Sequence, residues 1–183
     1  MRKIVVVDYD PEWPNIFKRL RDRIWPVLQD FAISIEHVGS TSVPGLAAKP
    51  IIDISAIVPS NHEIPLAIKR LSTIGYAHLG NLGIEGREAF KHDPSDDSPA
   101  YHFYVCPQGS LGLTNHLVFR NYLRSHPEVA QEYGNLKKQL SDKFPHDIDR
   151  YIEGKTDFIV RALKEQGISL DNLTSIDRSN RLP

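Results

Sequence analysis

The stretch from His37 to Ser55 constrains this chain most. A loop of small residues, Gly39-Ser40-Thr41-Ser42, leads through Pro44, Gly45 and Lys49 into an apolar run that holds one acid, Asp53. The run from Ile51 to Val58 is rich in Ile and Val and predicts a mostly buried strand. An ionised carboxylate there is costly unless a cation or hydrogen-bond donors surround it, so Asp53 needs compensation. A Gly-Ser turn lets backbone N–H groups approach an anion closely, and a short following helix aims its N-terminus at the same place. With Lys49 as a counter-charge, the segment has the makings of a phosphate and metal site. Strand alternation puts Asp53 and Ser55 on one face and Ile52, Ile54 and Ala56 on the other. Two plainer readings stand beside this one. Ser40, Thr41 or Ser42 can simply cap a turn that enters a helix, and Asp53 can be a structural acid paired with Arg87 or Lys49.

A length of 183 residues suits one sizeable domain with a real core. Lys plus Arg number 22 against 23 Asp plus Glu, a net charge of -1, which argues against a general nucleic-acid or membrane binder. A single cysteine, Cys106, excludes an internal disulfide and any Cys-rich zinc site. It reads as a small buried hydrophobe at a strand end. The apolar part of residues 1–10 is too short for a signal peptide, and no run approaches the roughly 18 apolar residues of a membrane span. The expected location is cytoplasmic.

Ile4 to Val7 predicts a short strand, followed by Asp10-Pro11 as an N-cap with proline at the first helical position. Phe17, Leu20, Ile24 and Leu28 recur at helical spacing, with Pro26 expected to bend or interrupt the last turns. A strand from Ile33 to Val38 enters the Gly-Ser loop. After Val58, a helix with Ile64, Ala67, Ile68 and Leu71 as its apolar stripe ends at Gly75. Gly80 to Pro99 reads as short strands with an exposed acidic loop around Pro94, and Tyr101 to Cys106 as a strand. Helices then follow over Leu113 to Ser125, Pro127 to Lys143 and Asp147 to Gln166. Strands early and helices late predict an α+β fold. It would form one domain over 1–168, with a β/α core to about residue 110, a helical part from 111 to 168 and a polar, fraying tail over 169–183.

Gly39-Ser40, twelve intervening residues and then Asp53-Ile54-Ser55 resembles the nucleotidyltransferase pattern of Gly-Ser or Gly-Gly followed by Asp-x-Asp or Asp-x-Glu. The whole segment from Glu36 to Ile54 is very similar to the GrpB-like family, a branch of that superfamily. Further similarity lies in Gly86-Arg87, the His102 strand, Leu117 to Arg124 and Tyr151 to Ile159, so the resemblance spans roughly Ile4 to Leu163. It implies a small mixed sheet with flanking helices and a C-terminal helical segment. Gly39, Ser40, Thr41 and Ser42 would hold triphosphate, with Lys49, Arg87 and Arg120 on anionic groups. Asp53 would bind Mg2+ or Mn2+, and His102 would orient the acceptor or act as a base. Active relatives use two or three carboxylates around one or two ions. Here Ser55 replaces the second acid, and Tyr101 to Val105 offers His102 and Tyr104 in place of a third; Glu36 and Glu88 are candidate substitutes. The implied partners are a nucleoside triphosphate and an unidentified hydroxyl acceptor of a nucleotidyl group. The alternative is a non-catalytic nucleotide- or anion-binding module that has lost the full metal cage.

His116, Arg120 and Arg124 fall at i, i+4 and i+8 and line one side of a helix, as an anion stripe or a solvated face. The pairs Tyr133 with Lys137 and Tyr151 with Lys155 are ordinary amphipathic surface contacts taken alone. Their place in the family resemblance suggests a cationic rim. Eight histidines invite a metal-hydrolase reading through His37, His102, His116 and Asp53, but no His-x-His or His-Glu-x-x-His pair fixes two ligands on one element.

Overall fold

A computed structural model describes residues 3–92 and 99–180. It is an α+β fold built on one five-stranded mixed sheet. Helix α1 (Trp13–Leu28) leads into β1 (Ser34–Val38), a single 3-10 turn (Ser40–Ser42) and β2 (Ile52–Val58). Helix α2 (Ile64–Ser72) precedes β3 (Tyr76–Gly80), β4 (Glu88–His92) and β5 (Tyr101–Pro107). Four helices complete the chain: α3 (Leu111–Ser125), α4 (Pro127–Lys143), α5 (Ile148–Glu165) and α6 (Leu170–Asn180). The strand order is β1-β2-β5-β4-β3, antiparallel throughout except for the parallel β2–β5 pair. Among the described residues no helix is long and apolar enough to cross a membrane.

One face of the sheet carries Ile52, Ile54, Ala56, Val58, Phe103 and Val105 against Leu20, Ile24 and Leu28 of α1 and Ala67 and Leu71 of α2. Burying these aliphatic side chains contributes about 1.5–3 kcal/mol each before entropy is counted. The register places Asp53, Ser55 and Ile57 on the other face, beside His102, Tyr104 and Cys106 of β5. Helix α3 covers the far end of that face, where Leu113 and Leu117 pack on Ile57 and Cys106. The end that carries Asp53 stays open. A second core, formed by Tyr122, Leu123, Ala130, Tyr133, Phe158 and Ala162, grips Val43 and Leu46 and so ties the loop after β1 to the helices.

Several expected elements differ in the structure. Ile4 to Val7 makes a single two-way bridge, Val7 to Ala48, in place of a strand. Its apolar side chains are used instead against the helices, with Ile4 and Val6 packed on Leu140 and Tyr151. Asp10 accepts a hydrogen bond from the Glu12 N–H (2.8 Å) and so shapes a turn; the proline in the first helical turn is Pro14. Pro26 leaves α1 unbroken as far as Leu28, which is fully buried and anchors the last turn. Residues expected to fray form α6, because Leu173 and Ile176 bury themselves against Leu163. The expected acidic loop around Pro94, and residues 181–183, lie outside the described residues.

Candidate functional site

Asp53 is the second residue of β2, where its neighbours across the sheet are Val38, the last residue of β1, and His102 of β5. Gly39 follows directly, with φ 69° and ψ -173°, a region that only glycine occupies freely. A Cβ at Gly39 would overlap the Asp53 carboxylate and fall within 2.9 Å of its Cγ. The glycine is thus what lets the acid close against the turn. On its other side Asp53 Oδ1 accepts a 2.8 Å hydrogen bond from His102 Nδ1. In the neutral ring, Nδ1–H donating to the carboxylate puts the lone pair on Nε2, and the ring is half exposed.

The small-residue loop divides by function. Gly39 and Ser40 line a cleft of about 990 Å³, along with Asp53. Thr41 and Ser42 are buried and turn inward: the Thr41 hydroxyl donates to the Ile51 carbonyl (3.2 Å), and the Ser42 hydroxyl to the Gly39 carbonyl (2.6 Å). They hold the turn. His37 donates from Nε2 to Thr41 Oγ1 (3.0 Å) and stacks on Phe17 at 4.7 Å. Burial pushes its pKa from the usual 6.5 down to about 4. Between those values the unfolded chain holds a proton that the folded chain lacks, so stability falls as pH drops from 6.5 to 4. Urea unfolding over that range should show His37 costing up to about 3 kcal/mol of stability at pH 4, and His37→Gln should flatten that part of the profile.

Three lysines stand around Asp53. Lys137 is 2 % exposed, lies 4.6 Å from the centroid of the Tyr133 ring, and its Nζ has no hydrogen-bond partner. Lys155, on the cleft wall, and Lys49 approach the Tyr151 ring at 4.8 and 5.5 Å. Burial lowers the pKa of all three: that of Lys155 falls to about 8 and that of Lys137 goes well below its ordinary value, with repulsion from Lys49 adding to the effect for both and from Lys155 for Lys137. Asp53 is the charge that opposes this in each case. One carboxylate, itself bonded to His102, leaves the group short of negative charge.

Other candidates are already engaged. Arg120 lines the cleft, but its Nη1 donates to Glu36 Oε2 (2.8 Å) and the His37 carbonyl (2.9 Å), and its Nε to Asn121 (3.0 Å). Arg124 donates twice to the Ser42 carbonyl (3.0 and 2.7 Å). The arginines of the stripe therefore brace the loop from behind. Glu36 is thereby committed, and Glu88 pairs with His78 (2.6 Å). Ser55 is fully buried, and Cys106, pushed up to about 12 by burial, is no nucleophile at neutral pH. Among the described residues no group of three or more His, Cys, Asp and Glu could hold a metal ion. His116 and Arg87 line the same cleft, with the Arg87 guanidinium 4.4 Å from the Tyr104 ring centroid.

A mixed sheet whose small-residue turn faces an acid on the next strand is the nucleotidyltransferase fold. The chain is similar to the Cid1 poly(U) polymerase solved with MgGTP bound, at TM-score 0.51 and 15% identity, over 75% of this chain and 44% of that one. Within that class the chain belongs to the GrpB family, whose model, described as GrpB protein, matches residues 3–165. The crystal structure of the conserved protein GrpB from Enterococcus faecalis is similar at TM-score 0.77 and 36% identity, over 93% of this chain and 98% of that one. UPF0157 protein YqkA of Bacillus subtilis is 37% identical over 161 residues, 88% of this chain. The chain spans about half of that relative, 46% of its length.

Proposed function

We propose that the protein binds a nucleoside triphosphate in this cleft, with the polyphosphate on the Gly39–Ser40 turn and the amino groups of Lys49, Lys137 and Lys155. The observation that carries the reading is Lys137: a buried amino group with no hydrogen-bond partner, whose charged form an anionic ligand would restore, beside two more lysines and a single carboxylate. A polyphosphate supplies the missing negative charge, and charge-assisted hydrogen bonds to it are the strong kind. That a neighbour of the same fold was solved with MgGTP bound supports the ligand class.

The residues fit one divalent cation and not a two-ion cage. Magnesium keeps several waters and needs one or two carboxylates plus substrate phosphates, which Asp53 and a triphosphate can provide. Bound there, the ion would neutralise charge growing on the α-phosphate. Transfer to a hydroxyl acceptor is the matching reaction. The acceptor oxygen bonds to the α-phosphorus, the bond from that phosphorus to the bridging oxygen breaks, and pyrophosphate leaves with the electron pair. His102, oriented by Asp53, takes the hydroxyl proton on Nε2. A second reading, a nucleotide- or anion-binding module without catalysis, is favoured by buried Ser55 and by the engagement of Glu36 and Glu88 elsewhere.

Thermal melts and calorimetry with the four nucleoside triphosphates, with and without Mg2+ or Mn2+, test both readings. At a hundredfold excess over Kd a triphosphate should raise the melting temperature by about 5–10 °C. Lys155→Gln should lose most of that rise, and Asp53→Asn only the metal-dependent part. No response to any triphosphate overturns both readings. Binding without pyrophosphate release across a panel of hydroxyl acceptors selects the module.

A further inference from the structure

The far wall of the cleft leaves a second set of polar atoms unsatisfied. Ser110 sits at the N-cap of the 15-residue helix α3 with an extended backbone suited to capping, yet its side chain caps no N–H. Its Oγ is buried without a partner, and so are Arg87 Nε, Asn115 Oδ1 and His116 Nδ1. All four residues line the same cleft as Asp53. His116 is held neutral by burial, and no acidic residue stands in the first turn of α3. Native proteins leave few buried polar atoms unpaired, and four along one wall indicate an absent partner.

The wall is built with little tolerance. Gly86, at φ 70°, presses against α3, where a Cβ would come within 2.6 Å of Ser110 Cβ. At Gly112 a Cβ would meet Arg87 Cβ at 3.3 Å. Two glycines thus let the loop over 81–87 and the start of α3 close together, while the Arg87 guanidinium rests against the Tyr104 ring. What they enclose is mostly donors: the uncapped N–H groups of α3, the Ser110 hydroxyl and the guanidinium. An oxyanion meets donors of this kind, with the helix dipole adding to the attraction. Asn115 Oδ1 asks for the opposite, a donor on the ligand, which a hydroxyl provides. The fields of Arg87 and Asp53 both reach His116 and Tyr104, so this wall stands within electrostatic range of the acid.

We propose that the start of α3 with Arg87 is a second oxyanion subsite, separate from the lysines, that takes the phosphate or carboxylate group of a small hydroxylated molecule. Its assignment as the acceptor's anchor rests on the transfer reading above; the oxyanion binding does not. The acceptor class is then a polyol phosphate or a hydroxy acid, held with its hydroxyl toward Asp53 and His102.

Calorimetry on the full chain saturated with a non-hydrolysable triphosphate separates the two sites, using glycerol 3-phosphate, glycerate and inorganic phosphate as probes. At least one probe should bind, and the two organic arms tell a phosphate from a carboxylate. Arg87→Gln should weaken that probe about tenfold or more while changing triphosphate affinity less than about threefold. Ser110→Ala, a smaller change, should weaken it in the same direction and serves if Arg87→Gln melts early. Lys155→Gln should do the reverse. Triphosphate binding with no response to any probe overturns the subsite and leaves the nucleotide reading standing. A probe that binds equally well to Arg87→Gln and Ser110→Ala overturns it too. If no triphosphate binds and a probe still does, with loss in Arg87→Gln, the subsite survives and the nucleotide reading falls.

Discussion

Lys137→Met should make the protein more stable and less able to bind. Lys137 is 2 % exposed, its Nζ has no hydrogen-bond partner, and burial with Lys155 and Lys49 disfavours its charged form with only Asp53 to oppose them. Breaking a satisfied buried pair destabilises, whereas replacing a buried amine that has no partner by an apolar side chain does the opposite. Methionine nearly matches the lysine in length and can lie on the Tyr133 ring through its sulfur. The expected gain is about 1–3 kcal/mol, or roughly 2–4 °C in melting temperature for each kcal/mol in a chain of this length. The pH profile supplies the sign. With a folded pKa well below the ordinary 10.5, the native state has released a proton that the unfolded chain still holds, so wild-type stability rises as pH climbs toward 10.5. Lys137→Met should show a shallower rise, leaving the part that belongs to Lys155 above about pH 8. The same variant should lose most of the melting shift produced by triphosphate. A destabilised Lys137→Met with its ligand response intact would mean that the lysine serves the fold. Stability surrendered for a charged site is a common trade.

This pattern also explains what could and could not be read from the residues. Long elements with strong periodicity, such as β2, α4 and α5, carry their own signal, and the α+β class follows from their order. So does the meeting of Gly39 with Asp53, because one loop and one strand bring them together. β3 is harder to see: it is an edge strand whose residues 77–79 are all exposed, so no alternation marks it. Helix α6 hides in a polar stretch because two residues, Leu173 and Ile176, suffice to dock it. Lys137 enters only through the family resemblance, as part of a cationic rim, and its burial is not legible. A lysine one turn after a tyrosine looks like surface, and only the packing of α4 on α5 and on the loop holding Leu46 turns that face inward. Arg120 misleads in the opposite direction, since its anion is Glu36, 84 positions away in sequence. Arg87 and His116 stand out singly, but nothing in the sequence joins them to Ser110 and Asn115; the wall exists only once the loop over 81–87 meets α3.

The largest loss should come from Gly39→Val. Its φ of 69° with ψ near 180° lies where β-branched residues are genuine outliers, which alone costs on the order of 1–3 kcal/mol. The new side chain would also drive into the Asp53 carboxylate, adding an overpacking cost of about 1–3 kcal/mol. Denaturant unfolding should therefore place Gly39→Val about 2–6 kcal/mol below wild type, with triphosphate binding abolished even where the variant is still folded. The two contributions separate in a double-mutant cycle. Asp53→Ala removes the carboxylate that the new side chain strikes but leaves the backbone strain untouched. Adding Gly39→Val to Asp53→Ala should thus cost about 1–2 kcal/mol less than adding it to the wild type. Additive effects would show that the two residues do not touch and that the glycine serves the turn alone. A strong coupling identifies the close approach of turn and acid as the feature that glycine permits. That approach sets the Asp53 carboxylate, with His102 bonded to it, in the wall of the cleft that Lys155 also lines.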